Sequence, residues 1–307
     1  MITSIFNKSK PINFTIVFFI TFLAFIVLNI KRIEESITAT FLLKQAFLFF
    51  VCYVSILGLS FIVGKNSLTK KSNYEIVLYS LFLLAIPQTV GNPDIIYANF
   101  FVLLGYRRII SLRSQISVNK KLFDAAFWFG IAALFYFWAI LFFLLIVISL
   151  LLYTDNNIKH WLIPFTGLLA VFLISVCLSI IWYDSFFEIF DSLPEVSYNF
   201  SNYNSIQYLI IITMLFSFGV WASIFYIKNI KQKKKVLRPS YYVVLFAVLI
   251  GFLIIVFAPN KNGSEFLFLF APLAIIIANY IEIIQERWFK ELFLSIIIIA
   301  PFVILLL

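Results

Sequence analysis

The residues of this chain that could do chemistry are few, and most of them are carboxylates and amides set in or beside apolar runs. Glu34 and Glu35 stand together just after the apolar stretch 12–30, in Lys31-Arg32-Ile33-Glu34-Glu35. Asp94 closes the turn Gly91-Asn92-Pro93-Asp94, and Glu265 immediately precedes a late apolar run. Carboxylates at such places can coordinate a divalent cation or take the proton of an acceptor hydroxyl. Glu34, Glu35 and Asp94 are therefore the candidate catalytic residues. Gln88, Asn92, Asn99 and Glu265 are candidates to line a substrate cavity, because polar side chains within apolar segments face protein or water in preference to lipid. Plainer roles compete with these. Glu34 and Glu35 could pair with Lys31 and Arg32 or cap the next helix, and Asp94 could be a turn residue only.

Other familiar chemistry is missing from the sequence. His160 is the one histidine, and Cys52 and Cys177 each lie within an apolar run, so neither a His/Cys metal site nor a disulfide framework is indicated. There is no Gly-rich phosphate loop, HExxH or GxSxG. No cofactor is evident, and a divalent metal enters only through the carboxylates.

The elements that must position these residues follow from composition. The chain is 63% hydrophobic and 12% charged, with a mean hydropathy of +1.05. A soluble domain is near 45–50% apolar and about 25% charged, so lipid has to be the solvent for most of these side chains. Runs such as 141–152 do not alternate apolar with polar, which excludes a transmembrane barrel. The expected fold is all-α: a polytopic transmembrane helical bundle, a single integral membrane domain over residues 1–307.

A helix crosses the hydrocarbon in about 20 residues. Clear spans are 12–30, 46–64, 161–182, 206–226, 241–258, 266–284 and 292–307, and 76–90 with 95–106 reads as a short hairpin about Gly91–Asp94. The stretch 122–153 is too long for one crossing. If it turns near Trp138, all basic residues except Lys31, Arg32, Lys44 and Lys261 fall on one side. That obeys the positive-inside rule and gives eleven spans, with the N-terminus inside and the C-terminus outside. The first span is then retained rather than cleaved as a signal peptide. Most of the charge of +9 is accordingly an orientation signal. The Lys231–Lys235 cluster suits anionic headgroups, and nucleic acid is not an expected partner. Glu34, Glu35, Asp94 and Glu265 all fall on the outer side, as does 183–205, an aromatic-rich segment suited to the interface or to covering an outward cavity.

Three stretches carry a resemblance. Ser80–Pro87 runs through Asn92-Pro93-Asp94 to Asn99 and Gly105-Tyr106-Arg107-Arg108. Phe127-Trp128-Phe129-Gly130 leads to Phe137-Trp138, and Glu265 leads to Pro272, Ala278 and Asn279. Their order resembles the membrane core of GT-C-type glycosyltransferases. The resemblance implies transfer of a sugar from a polyprenyl-phosphate carrier at the outer face. It also implies a catalytic acid in the first outer loop, matched here by Glu34 or Glu35, and a helping acid in the second, matched by Asp94. The first outer loop, 31–45, is shorter than in that superfamily, Phe137-Trp138 replaces the expected basic residue, and no large outer domain follows. The opening residues 1–13 and the stretch 92–113 also resemble an uncharacterised family of multi-pass inner-membrane proteins of Bacteroidota, a likeness that implies the bacterial inner membrane and no particular activity.

Two function classes follow. One is a small GT-C-like glycosyltransferase at the outer leaflet, whose partners are membrane lipids and a polyprenyl-phosphate-linked substrate. The other is a non-catalytic membrane subunit or scaffold of a cell-envelope or secretion complex, with membrane-protein partners. A transporter is disfavoured, since paired charges in mid-span are scarce and no inverted repeat of broken helices is visible.

Overall fold

In a computed structural model the described residues are 2–30, 38–70, 72–153, 157–190 and 195–306, so Glu34 and Glu35 lie outside them. Among the described residues every regular element is helical. The helices are α1 Ile2–Phe6, α2 Pro11–Ile30, α3 Ala39–Asn66, α4 Tyr74–Ala85, α5 Pro93–Ile110 and α6 Val118–Phe135. They continue as α7 Leu144–Leu152, α8 Ile158–Tyr183, α9 Ile206–Ile230, α10 Arg238–Phe257, α11 Leu267–Ile283 and α12 Arg287–Leu306. Eight helical segments are long and apolar enough to cross a bilayer: Pro11–Ile30, Ala39–Asn66, Pro93–Ser114, Ile158–Tyr183, Ile206–Ile230, Lys235–Phe257, Ser264–Ile283 and Arg287–Leu306. Tyr74–Ala85 and Phe137–Leu152 are shorter and apolar. This is consistent with a multi-pass membrane protein.

Helix starts are set by local chemistry. The Thr38 hydroxyl accepts the Phe41 N–H at 3.3 Å, the Asn157 side chain accepts that of Lys159 at 3.1 Å, and the Ser205 hydroxyl accepts that of Tyr208 at 3.3 Å. Each satisfies one of the backbone donors that a helix leaves open at its first turn. Within 122–153 the helix stops at Tyr136, whose backbone is extended (φ −145°, ψ 105°). A 3-10 segment, Phe137–Phe143, then packs against α6 before α7 begins.

The chain divides into two compact units. Unit 1 comprises Met1–Ile96, Asn199–Lys233 and Lys261–Leu307. Its innermost helices are α4, of which every residue is buried, and α11, buried without interruption from Leu267 to Ile281. Helices apolar on nearly all sides are suited to such a position, though α4 also buries Glu75 and α11 buries Asn279. They pack on one another, α2, α3 and α12 pack on α4, and α9 packs on α11. In lipid, such association rests on close packing and a few hydrogen bonds rather than on expelling water. Phe270 meets the rings of Tyr79 and Phe82, and the Asn279 amide donates to the Leu68 and Ile275 carbonyls, each at 2.9 Å.

One end of unit 1 is tied by carboxylates. Glu282 accepts the Lys70 N–H at 2.8 Å and the Ser72 hydroxyl at 2.5 Å, and Glu291 accepts the N–H and the hydroxyl of Thr3. Tyr74 donates to the Thr3 carbonyl at 2.8 Å, and Asn73 N–H donates to that of Phe6 at 2.9 Å. Helix α1 is thereby fastened to α4 and α12.

Unit 2 comprises Tyr97–Tyr198 and Lys234–Asn260. Its main contact is α6 against α8. On α8 only a narrow stripe is buried, Pro164, Gly167, Val171, Ser175 and Ser179, while Leu162, Phe165, Leu169 and Phe172 are exposed and suited to lipid. A Cβ on Gly167 would lie 2.8 Å from the Phe123 carbonyl oxygen, so glycine is what lets the two backbones approach. Cys52 is buried in α3, whereas Cys177 is exposed on α8. Arg108 reaches Asp124 at 2.8 Å, an ion pair that links α5 to α6.

Candidate polar end of unit 1

The end of unit 1 opposite the carboxylate ties is assembled from five chain segments. The last turn of α2 supplies Val27 and Leu28, and the 3-10 turn after α4 (Pro87–Val90) supplies Pro87 and Gln88. The first turns of α9 supply Gln207, Tyr208 and Ile211, and the last turn of α12 supplies Ile304 and Leu305. These enclose a cavity of about 150 Å³. At about 30 Å³ per molecule that is room for a few waters. The fifth segment, Lys261–Phe266, packs through its own 3-10 turn (Ser264–Phe266) onto Pro87–Val90.

That segment is held in a fixed shape. The Asn262 side-chain oxygen accepts the Ser264 N–H at 3.0 Å and the Ser264 hydroxyl at 2.5 Å. The Tyr208 hydroxyl donates to the Asn262 carbonyl at 2.7 Å. Gly263 has φ +93°, a region that favours glycine, and a Cβ there would lie 2.5 Å from the Tyr208 oxygen. Sequence and position therefore agree: the turn needs glycine both for its dihedral and for the approach of Tyr208.

Two ionisable groups are buried within this braced loop. Glu265 is fully buried, and neither carboxylate oxygen has a hydrogen-bond partner among the described residues, although the backbone N–H groups of Asn262, Gly263 and Glu265 itself lie around it. Lys261 is 2% exposed, with its ammonium 4.6 Å from the centre of the Phe200 ring, a cation–π contact. Burial lowers the Lys261 pKa from the ordinary lysine value. Phe200 meets Tyr203, and Tyr203 meets both Tyr208 and Phe266, so the loop is walled by aromatic rings. The Tyr203 hydroxyl is also buried without a partner among the described residues. Buried polar groups are nearly always satisfied; among the described residues both Glu265 oxygens and the Tyr203 hydroxyl are exceptions here, as one side-chain atom each of Asn13, Asn73 and Glu75 is toward the other end of the unit.

The sequence-predicted residues fall out as follows. Gln88 is exposed and lines the cavity, and Glu265 lies in the loop packed on the same turn. Asn92 accepts the Asp94 N–H on its side-chain oxygen at 3.0 Å, so it starts α5. Asp94 itself is exposed in the first turn of that helix. Asn99 is buried in α5 and belongs to unit 2. Glu34 and Glu35 lie outside the described residues. Among the described residues no group of three or more His, Cys, Asp or Glu is placed to hold a metal ion. Tyr208 was not singled out from the sequence; Tyr203 entered only within the aromatic-rich segment 183–205, and Lys261 only as a basic residue on the expected outer side. The available signal was Asn260-Lys261-Asn262-Gly263-Ser264, a polar turn carrying one of the four basic residues that the expected topology leaves on the outer side.

A family profile matches residues 1–306, nearly the whole chain. The chain belongs to the DUF6427 family. That family is described as one of unknown function. No curated protein and no solved structure matches the chain. For a DUF6427 member, then, function has to be argued from the site itself.

Proposed function

We propose that this multi-pass protein lies in the bacterial inner membrane and acts at the outer leaflet as a small GT-C-like glycosyltransferase on a polyprenyl-phosphate-linked sugar. The observation that carries the reading is the braced loop at one end of unit 1, where buried Lys261 and Glu265 sit among aromatic rings beside a cavity edged by Gln88 and Tyr208. Phosphate, sugar hydroxyls and the apolar face of a sugar ring call for a cation, an acceptor and an aromatic wall respectively. The reading includes eleven crossings, with this end outside. The ends of α2, α4 and α12 and the start of α9 meet at the cavity, the arrangement that alternating crossings require. Glu34, Glu35 and Asp94 remain the proposed catalytic carboxylates, and a divalent cation held by them would stabilise the departing phosphate.

The test compares lipid-linked sugars and envelope glycans in cells carrying the wild type, the chain with alanine at Glu34, Glu35 and Asp94 together, and a deletion of the gene. Accumulated carrier-linked sugar with the triple variant, matching the deletion, is the expected result. Unchanged glycans in both strains would end the transferase reading.

A second reading, a non-catalytic membrane subunit of a cell-envelope or secretion complex, is favoured by one observation. Helices α4 and α11 are enclosed along their whole buried lengths, and the cavity is smaller than the roughly 300–1,000 Å³ of ordinary small-molecule sites. On this reading the deletion disturbs the envelope and the triple variant does not.

A further inference from the structure

We infer that Glu265 and Lys261 together form the recognition site for the head group of the ligand, Glu265 accepting sugar hydroxyls and Lys261 contacting the phosphate. This rests on the transferase reading for its lipid and assigns residues which that reading's outer-loop carboxylates do not include.

The argument starts with Glu265. A carboxylate is an acceptor only, and burying one without partners is costly. Among the described residues neither Glu265 oxygen has a partner in hydrogen-bonding geometry, although the N–H groups of Asn262, Gly263 and Glu265 lie around them, and the side chain is fully buried. Nearby backbone N–H groups at the start of α11 suit a carboxylate and are unfavourable to a metal cation. The missing partner is thus a donor: an O–H or N–H on a ligand. Tyr203 adds a buried hydroxyl without a partner among the described residues, on the ring that touches Phe266. Aromatic rings with polar tips are matched to a sugar, which offers an apolar face and a rim of hydroxyls.

Lys261 supplies the complementary charge, four positions earlier in the same loop. Its ammonium rests on the Phe200 ring at 4.6 Å, an arrangement that keeps a cation in a poorly solvated place. A compact ammonium is a common partner for phosphate. The loop cannot easily rearrange, because Asn262, Ser264 and Tyr208 brace it. Entry is therefore assigned to the facing turn, Pro87–Val90, which borders the cavity and packs on Ser264–Phe266. At about 150 Å³ the cavity admits waters or one edge of a sugar, so binding a whole ring requires that turn to move.

The experiment measures binding to full-length protein in nanodiscs with three probes: polyprenyl-phosphate-linked glucose, polyprenyl phosphate without sugar, and methyl glucoside. Glu265→Gln is expected to bind the sugar-bearing lipid about tenfold or more weakly while binding the sugarless lipid as the wild type does. Lys261→Met is expected to weaken both lipids. Equal binding of the sugar-bearing lipid by wild type and Glu265→Gln overturns the role of Glu265, and undiminished binding of the sugarless lipid by Lys261→Met overturns that of Lys261. If the wild type binds neither lipid while methyl glucoside raises its thermal midpoint but not that of Glu265→Gln, the lipid-linked reading fails and the hydroxyl site stands. If no probe binds the wild type, both fail. Should Glu265→Gln not fold, Glu265→Asp, which withdraws the carboxylate by one methylene, replaces it under the same criteria.

Discussion

The brace between Tyr208 and the glycine turn can be tested quantitatively by a double-mutant cycle. Gly263→Ala places a Cβ at φ +93°, costing about 1–2 kcal/mol for a residue with a side chain. The same Cβ would sit 2.5 Å from the Tyr208 oxygen and 2.9 Å from a ring carbon, so the ring must withdraw. Withdrawal breaks the 2.7 Å hydrogen bond to the Asn262 carbonyl, worth about 1 kcal/mol net. Gly263→Ala alone should therefore destabilise by about 2–3 kcal/mol. Tyr208→Phe loses the hydrogen bond and should cost about 1 kcal/mol. The double variant loses that bond only once and carries no hydroxyl to clash, so the sum should overshoot by about 1 kcal/mol. The assay is reversible unfolding of purified protein in detergent, followed by tryptophan fluorescence across the four species. Strict additivity, or a Gly263→Ala protein as stable as the wild type, would refute the claim that Tyr208 braces this loop.

Three other outcomes are expected. Gly167→Ala should lower thermal stability, since overpacking costs about 1–3 kcal/mol and helix propensity returns only about 1 kcal/mol; Gly58→Ala, with nothing within 4 Å of its added Cβ, should be neutral or stabilising. Charge-neutral Asp124→Asn should cost no more than about 1 kcal/mol despite the 2.8 Å contact with Arg108, because both side chains are about one-third exposed, and the unfolding midpoint will show it. Glu291→Ala removes the acceptor for both Thr3 groups and should make the N-terminal segment more susceptible to limited proteolysis, with little change at other cleavage sites.

Much of the helical organisation was legible because apolar length is a strong signal. The placement of basic residues called for a hairpin turning near Trp138, and the helix stops at Tyr136; the reversal into two crossings belongs to the proposal. Which helices are innermost was not legible, since α4, α8 and α11 are all predominantly apolar and composition does not say what surrounds each. Ion pairing of Arg108 with Asp124 was missed because pairing across two helices has no local spacing to reveal it. The site was half-visible. Gln88 and Glu265 stood out as polar groups beside apolar runs. Tyr208 did not, because a chain with 15 Tyr and 39 Phe gives no single aromatic residue special weight, and Tyr203 was marked only as one ring of the aromatic-rich segment 183–205. Only the fold brings rings from 200–208 against a loop some sixty residues later.

The account places its chemistry at the outer end of unit 1, and one labelling measurement tests that most directly. In full-length protein with Cys52 and Cys177 replaced by serine or alanine, Gln88→Cys and Lys70→Cys put a single thiol at opposite ends of the unit. Right-side-out membrane vesicles are then exposed to a membrane-impermeant maleimide. The account predicts labelling of the Gln88→Cys protein in intact vesicles and of the Lys70→Cys protein only after permeabilisation. The reverse pattern would put the Lys261–Glu265 loop inside the cell, out of reach of an outer-leaflet substrate, and would contradict the account.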